Sequence, residues 1–104
     1  VSKIYTGGPD RVGVLIRSRR GNSFRSRVEN RTWLVETGWG RLPVRLHEIR
    51  EATPMDGEDG FRLELVDGDL VEGRIPGFHL WVSRSDGSER LIPGREIDAL
   101  QVSD

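Results

Sequence analysis

Apolar and polar positions alternate with a period of two along most of the chain, and clusters of Gly, Asn, Asp or Pro interrupt the alternation at short intervals. This period is typical of β-strands, because successive side chains of a strand point to opposite faces of the sheet. A helical period is nowhere sustained over the ~10 residues that a helix needs. The pattern therefore predicts an all-β protein whose short strands are joined by tight turns.

Each half of the chain is expected to contain five short strands. Asp67-Gly68 is a strong hairpin turn signal between two of them. Pro43 lies in the fourth predicted strand, and since proline has no N–H to donate, this strand should lie at a sheet edge or carry a bulge. The predicted strands lie around residues 12–16, 24–28, 32–36, 41–46 and 47–50 in the first half, and around 61–65, 71–75, 78–82, 90–92 and 97–102 in the second.

The second half repeats the first at an offset of 47 residues, or 48 after one inserted residue. Turn glycines and apolar positions coincide together, which indicates an internal duplication. The alternative is that any two β-meanders of this length align about as well. We expect a first β repeat at 1–52, an aperiodic linker at 53–60 and a second β repeat at 61–104, with a shared core because so short a repeat buries little surface alone. The matching pairs include Gly21 with Gly68, Val35 with Val82, Gly40 with Gly87, Val44 with Ile92 and Ile49 with Ile97.

The second half also carries a characteristic series of turns and core residues. After Asp67-Gly68 come Gly73-Arg74-Ile75, Leu91-Ile92-Pro93 and Glu96-Ile97. This series resembles the SH3-like small barrels, in particular the Sm-like and PRC-barrel kinds, over Phe61–Val102, and Arg41–Ile49 echoes it. The resemblance implies two tandem SH3-like half-units of about five strands that share a core, as small barrels or a sandwich. Those families bind RNA, peptides or partner subunits, so the resemblance does not select a function.

Composition excludes several classes of site. The chain has no cysteine, which excludes disulfides and thiolate metal ligands. The two histidines, His47 and His79, make a poor transition-metal set without cysteine, so neither a metal nor another cofactor is expected. No apolar run approaches the ~18 residues of a membrane span, and the compartment stays open.

No arrangement of residues points to catalysis. No serine lies in a Gly-x-Ser-x-Gly elbow. His79 lies between two apolar strand positions and should face solvent, and His47 lies at a strand-to-turn corner. We therefore expect that the protein is not an enzyme.

The charges are segregated along the chain. Residues 1–50 carry eleven Lys and Arg against four acidic residues, and residues 51–104 carry five Arg against thirteen acidic residues. Opposite charges on one small body favour head-to-tail contacts between copies, although the two fields can also neutralise each other within the monomer. The strong preference for Arg over Lys is typical of a GC-rich, bacterial genome, and it also suits bidentate contacts with anions.

These patterns predict a non-catalytic β-barrel module that acts as a structural or accessory subunit of a protein assembly through charge-complementary contacts. The alternative is a nucleic-acid-binding small barrel that uses the arginines of the first hairpin to hold phosphates and tryptophans to stack on bases. Both hypotheses use one candidate partner surface, and its residues are Arg17, Arg19, Arg20, Arg25, Arg27, Arg31, Trp33 and Trp39.

Overall fold

The computed structural model of the chain describes residues 10–55, 59–83 and 86–103. The described residues form an all-β fold, as the alternation predicts, with two short 3₁₀ turns at Leu46–Glu48 and Gly94–Glu96. The strands are β1 (Arg11–Ser18), β2 (Ser23–Glu29), β3 (Thr32–Thr37), β4 (Gly40–Arg45), β5 (Ile49–Pro54), β6 (Gly60–Leu65), β7 (Leu70–Arg74), β8 (His79–Ser83), β9 (Glu89–Pro93) and β10 (Ile97–Val102).

Eight strands form one antiparallel sheet in the order β2-β1-β10-β5-β6-β7-β3-β4, and β8 pairs with β9 in a separate sheet. β4 is therefore an edge strand, which confirms the prediction made from Pro43. β5 runs to Pro54 and β6 begins at Gly60, so the connection between them is shorter than the predicted linker at 53–60.

The two halves of the chain exchange strands. β10, the last strand of the second half, pairs with β1, and β5, the last strand of the first half, pairs with β6. Hydrogen bonds at the turns also connect the two halves of the chain. The N–H of Arg19 donates to the carbonyl of Glu96 at 3.0 Å, and 47 residues further on the N–H of Val66 donates to the carbonyl of Glu48 at 2.9 Å. Each hydrogen bond joins one half of the chain to the other.

β10 also pairs with β5, so the large sheet is continuous. For description we divide its strands into two units, each with strands from both halves. The continuous unit, residues 32–74, contains β5-β6-β7-β3-β4 in spatial order. The split unit, residues 10–31 and 75–103, contains β10-β1-β2, and β8–β9 lies beside β2, where the N–H of Ser83 donates to Oγ of Ser26 at 3.2 Å. One hydrophobic core of buried residues runs through both units.

One glycine allows β3 to pair with β7 in the large sheet. A Cβ on Gly73 would overlap the carbonyl oxygen of Glu36 and lie 2.9 Å from Cγ1 of Val35, so only glycine lets β7 pair directly with β3. Ser26, 47 residues earlier, has a side chain at the equivalent place. There the link to β8 runs through the serine hydroxyl.

Candidate functional site

The first hairpin, β1–β2, presents a row of arginines on the outer face of the sheet. Val12, Val14 and Ile16 of β1 are buried, so the alternate residues of β1 point outward, and β2 follows the same alternation. This places four exposed side chains on one face, and we call them the basic stripe: Arg11, Arg17, Arg25 and Arg27.

Most of the basic stripe lacks carboxylate partners. Arg17 pairs with Asp98 at 3.3 Å. Arg11 and Arg27 donate to each other's backbone carbonyls at 3.5 and 3.4 Å and form no salt bridge with a described carboxylate. The Arg25 side chain has neither a hydrogen bond nor an ion pair with a described residue. The stripe therefore keeps free guanidinium groups for an external anion.

Acidic residues lie on the same outer face, some beside the basic stripe and some several strands away. Glu29 on β2 is opposite Arg11, and Asp98 on the neighbouring β10 pairs with Arg17. Arg25 is opposite Leu15, Leu15 opposite Gln101, Gln101 opposite Glu51, and Glu51 opposite Glu64. Asp98, Glu51 and Glu64 form what we call the acidic stripe. With about 4.8 Å between strands, the Cα atoms of Arg25 and Glu51 lie about 14 Å apart. No ion pair joins these two side chains within the molecule.

The strand exchange also reduces the charge difference that the sequence suggested. Among the described residues, the split unit has nine arginines against six acidic residues, and the continuous unit has five against eight. The split unit therefore has a net charge of +3 and the continuous unit one of −3. The charge difference between the two units is smaller than the difference between the two halves of the chain.

Arg19 and Arg20 lie in the turn after β1 and face away from the basic stripe. With Arg90 and Arg95 they line a cleft of about 290 Å³. Arg90 and Arg95 are not among the site residues predicted from sequence, because they belong to the acidic half of the chain. No local pattern signals that the fold brings them to the first hairpin.

Arg31 and Trp33 lie close together, but the Trp33 side chain mainly packs against other aromatic side chains. The Arg31 guanidinium is 5.8 Å from the centre of the Trp33 ring, and Arg31 also pairs with Glu29 at 3.5 Å. The Trp33 ring meets Phe78 edge-on at 4.8 Å and His79 at 5.4 Å, so it is partly buried. Trp33 therefore packs against the hydrophobic core.

Trp39 lies away from the arginines, and Trp81 lies close to them. Trp39 is 84% exposed in the turn between β3 and β4, at the other end of the sheet from β2. Trp81 is 49% exposed and borders a small crevice with Arg31 and Trp33. The alternation already placed Trp81 opposite to Leu80 and Val82, but only the fold brings it to the first hairpin.

Both histidines make hydrogen bonds within the fold. The His47 N–H donates to Oδ1 of Asn30 at 3.1 Å, and its ring Nδ1 lies 3.0 Å from Nδ2 of the same side chain. Nδ1 of His79 lies 2.8 Å from the carbonyl of Gly77. In the described parts of the chain, no group of three His, Cys, Asp or Glu side chains is arranged to hold a metal ion. No described helix is long and apolar enough to cross a membrane.

Comparison with known proteins finds no matching family model, no matching curated protein and no matching solved structure.

Proposed function

We propose that the chain is a tandem repeat of two SH3-like half-units that have exchanged strands. Three observations support this. The strands and 3₁₀ turns of the second half follow those of the first after 47 or 48 residues. Each unit has five strands, and a 3₁₀ turn precedes the last strand of each half. Gly21 and Gly68, at equivalent places in the turns, have φ values of 93° and 95°.

Its function, in this proposal, is that of a non-catalytic module that joins a protein assembly as a structural or accessory subunit. The observation that carries the proposal is the outer face of the large sheet, where Arg25 of the basic stripe and Glu51 of the acidic stripe lie three strands apart and form no ion pair with a described residue. A partner that approaches this face satisfies charges that the monomer leaves unsatisfied.

The partner that fits best is a second copy of the chain. Both stripes lie on one face, so a second molecule turned by 180° places its acidic stripe on the basic stripe of the first. Such a contact is isologous and closes as a dimer. This arrangement favours a two-fold contact over the head-to-tail contact expected from two oppositely charged halves.

Charge reversal at Arg25 and Glu51 tests this pairing. Arg25→Glu and Glu51→Arg should each weaken self-association, because each places like charges in contact. The double variant should recover part of the association, with a coupling of ~0.5–3 kcal/mol between the two sites. Sedimentation equilibrium measures the association constants. Arg41→Glu is the matched control, since Arg41 is exposed on β4 and has no described ion pair.

Two outcomes would contradict the proposal. One is that Arg25→Glu affects association no more than Arg41→Glu does. The other is that the unmodified chain binds a single-stranded oligonucleotide, that Arg25→Glu abolishes this binding, and that Glu51→Arg does not restore it. The second result would support the nucleic-acid alternative, in which affinity falls linearly with the logarithm of salt concentration.

A further inference from the structure

The cleft behind the first hairpin gathers four arginines from three separate elements. Arg19 and Arg20 come from the turn after β1, Arg90 from β9, and Arg95 from the second 3₁₀ turn. The hydrogen bond from the N–H of Arg19 to the carbonyl of Glu96, at 3.0 Å, ties the first turn to the 3₁₀ turn. The backbone that presents these guanidinium groups is therefore connected across the cleft.

The positive charge of the cleft is largely uncompensated. Glu96 is the one acidic residue among the described residues that line it, and its carboxylate lies 3.9 Å from the Arg90 guanidinium. Arg19, Arg20 and Arg95 form no ion pair with any carboxylate in the described ranges. Like charges gathered in one cleft repel each other, and a bound anion relieves that repulsion.

The fold itself does not require these charges. The equivalent turn of the continuous unit docks on the first 3₁₀ turn through the hydrogen bond from Val66 to Glu48. That turn carries Asp67 and Asp69 where the first hairpin carries Arg20 and Asn22. The same backbone arrangement therefore forms with acidic residues in the continuous unit, so the fold does not depend on the arginines of the cleft.

A larger groove adjoins the cleft. Arg19 and Arg95 line both, and the groove has a volume of about 600 Å³. Most of its other lining residues are apolar residues or glycines, and Leu91 among them is 43% exposed. Asp59 and His79 also line the groove, and the Asp59 carboxylate lies 3.9 Å from the Arg74 guanidinium. A ligand whose anionic group binds between the arginines therefore has room for an uncharged organic part in the groove. The apolar lining residues are Pro54, Phe61, Phe78, Leu91 and Pro93.

We propose that this cleft binds the phosphoryl group of a small organic phosphate and that the adjoining groove holds the organic body of the same molecule. Guanidinium groups recognise phosphate oxygens through paired, charge-assisted hydrogen bonds. A doubly charged phosphoryl group matches several arginines better than a singly charged carboxylate does. The binding is non-covalent, and its surface differs from the basic stripe on the outer face.

Isothermal titration calorimetry with three probes tests the proposal. Phenyl phosphate carries both the phosphoryl group and an apolar ring. Inorganic phosphate has the charge without the ring, and benzoate has the ring with a single negative charge. We expect phenyl phosphate to bind most tightly. Replacing Arg20 and Arg95 together by glutamine should weaken its binding at least about tenfold, since hydrogen bonds to charged groups are lost. Leu91→Ser should weaken phenyl phosphate and leave inorganic phosphate unchanged.

Arg41→Gln is the control for the loss of positive charge, and it should bind phenyl phosphate as the unmodified chain does. Equal affinity of the double variant and Arg41→Gln for phenyl phosphate would overturn the proposal. So would a failure of all three probes to bind at millimolar concentration. Arg25→Glu should leave phosphate binding unchanged, so a failure of this proposal is distinguishable from a failure of the proposed assembly.

Discussion

Replacing Gly73 with alanine is expected to lower the free energy of unfolding by about 3 kcal/mol, the upper end of the cost of overpacking. The added Cβ would overlap the carbonyl oxygen of Glu36 and lie 2.9 Å from Cγ1 of Val35. Backbone cannot yield here without opening the pairing of β7 with β3. Urea denaturation followed by circular dichroism measures the change.

Ser26→Gly is the matched control for this prediction. It changes the equivalent position between β2 and β8, where the Ser26 hydroxyl accepts the Ser83 N–H. Losing that hydrogen bond should cost about 1 kcal/mol, and glycine in a strand adds ~0.5–1 kcal/mol. If Gly73→Ala costs no more than Ser26→Gly, the close approach of β7 and β3 is not what holds the continuous unit together.

The fragment 53–104 is expected to be unfolded on its own. It retains the β6–β7 and β8–β9 pairings but lacks β1 and most of β5, which pair with β10 and β6, and β3, which pairs with β7. Isolated hairpins are marginally stable at best in water. Circular dichroism during heating should show no cooperative transition.

Mixing the fragments 1–52 and 53–104 should restore a cooperative transition, because each supplies strands that the other lacks. Cooperative melting of 53–104 alone would contradict the strand exchange. The segment 32–74 should be compared with 53–104 in the same heating experiment, since 32–74 contains all five strands of the continuous unit.

Alternation along the chain predicted the all-β fold and many of the buried residues, although β5 extends into the predicted linker. Val14, Ile16 and Leu63 are buried as the period of two requires, and the turn at Gly68 has the positive φ that favours glycine. The exchange of β5 and β10 between the halves was beyond that prediction. Alternation determines which face of a strand is buried, but the choice of neighbouring strand depends on contacts that are distant in sequence.

Part of the candidate site could likewise be predicted from the sequence, and part of it could not. Arg17, Arg25 and Arg27 share a face because residues two apart in a strand always do. Trp39 was grouped with them because it is close in sequence, yet the sheet order carries it to the opposite end. Arg95 joins Arg20 only because the second 3₁₀ turn docks on the first hairpin.

The mass of the unmodified chain in solution across a salt series tests the proposed assembly most directly. At low salt, sedimentation equilibrium should give a mass that approaches twice 11.8 kDa as the protein concentration rises. In molar salt, where exposed charges are screened within ~3 Å, the mass should return to 11.8 kDa. A mass of 11.8 kDa at every salt and protein concentration would contradict assembly of this chain through its outer face.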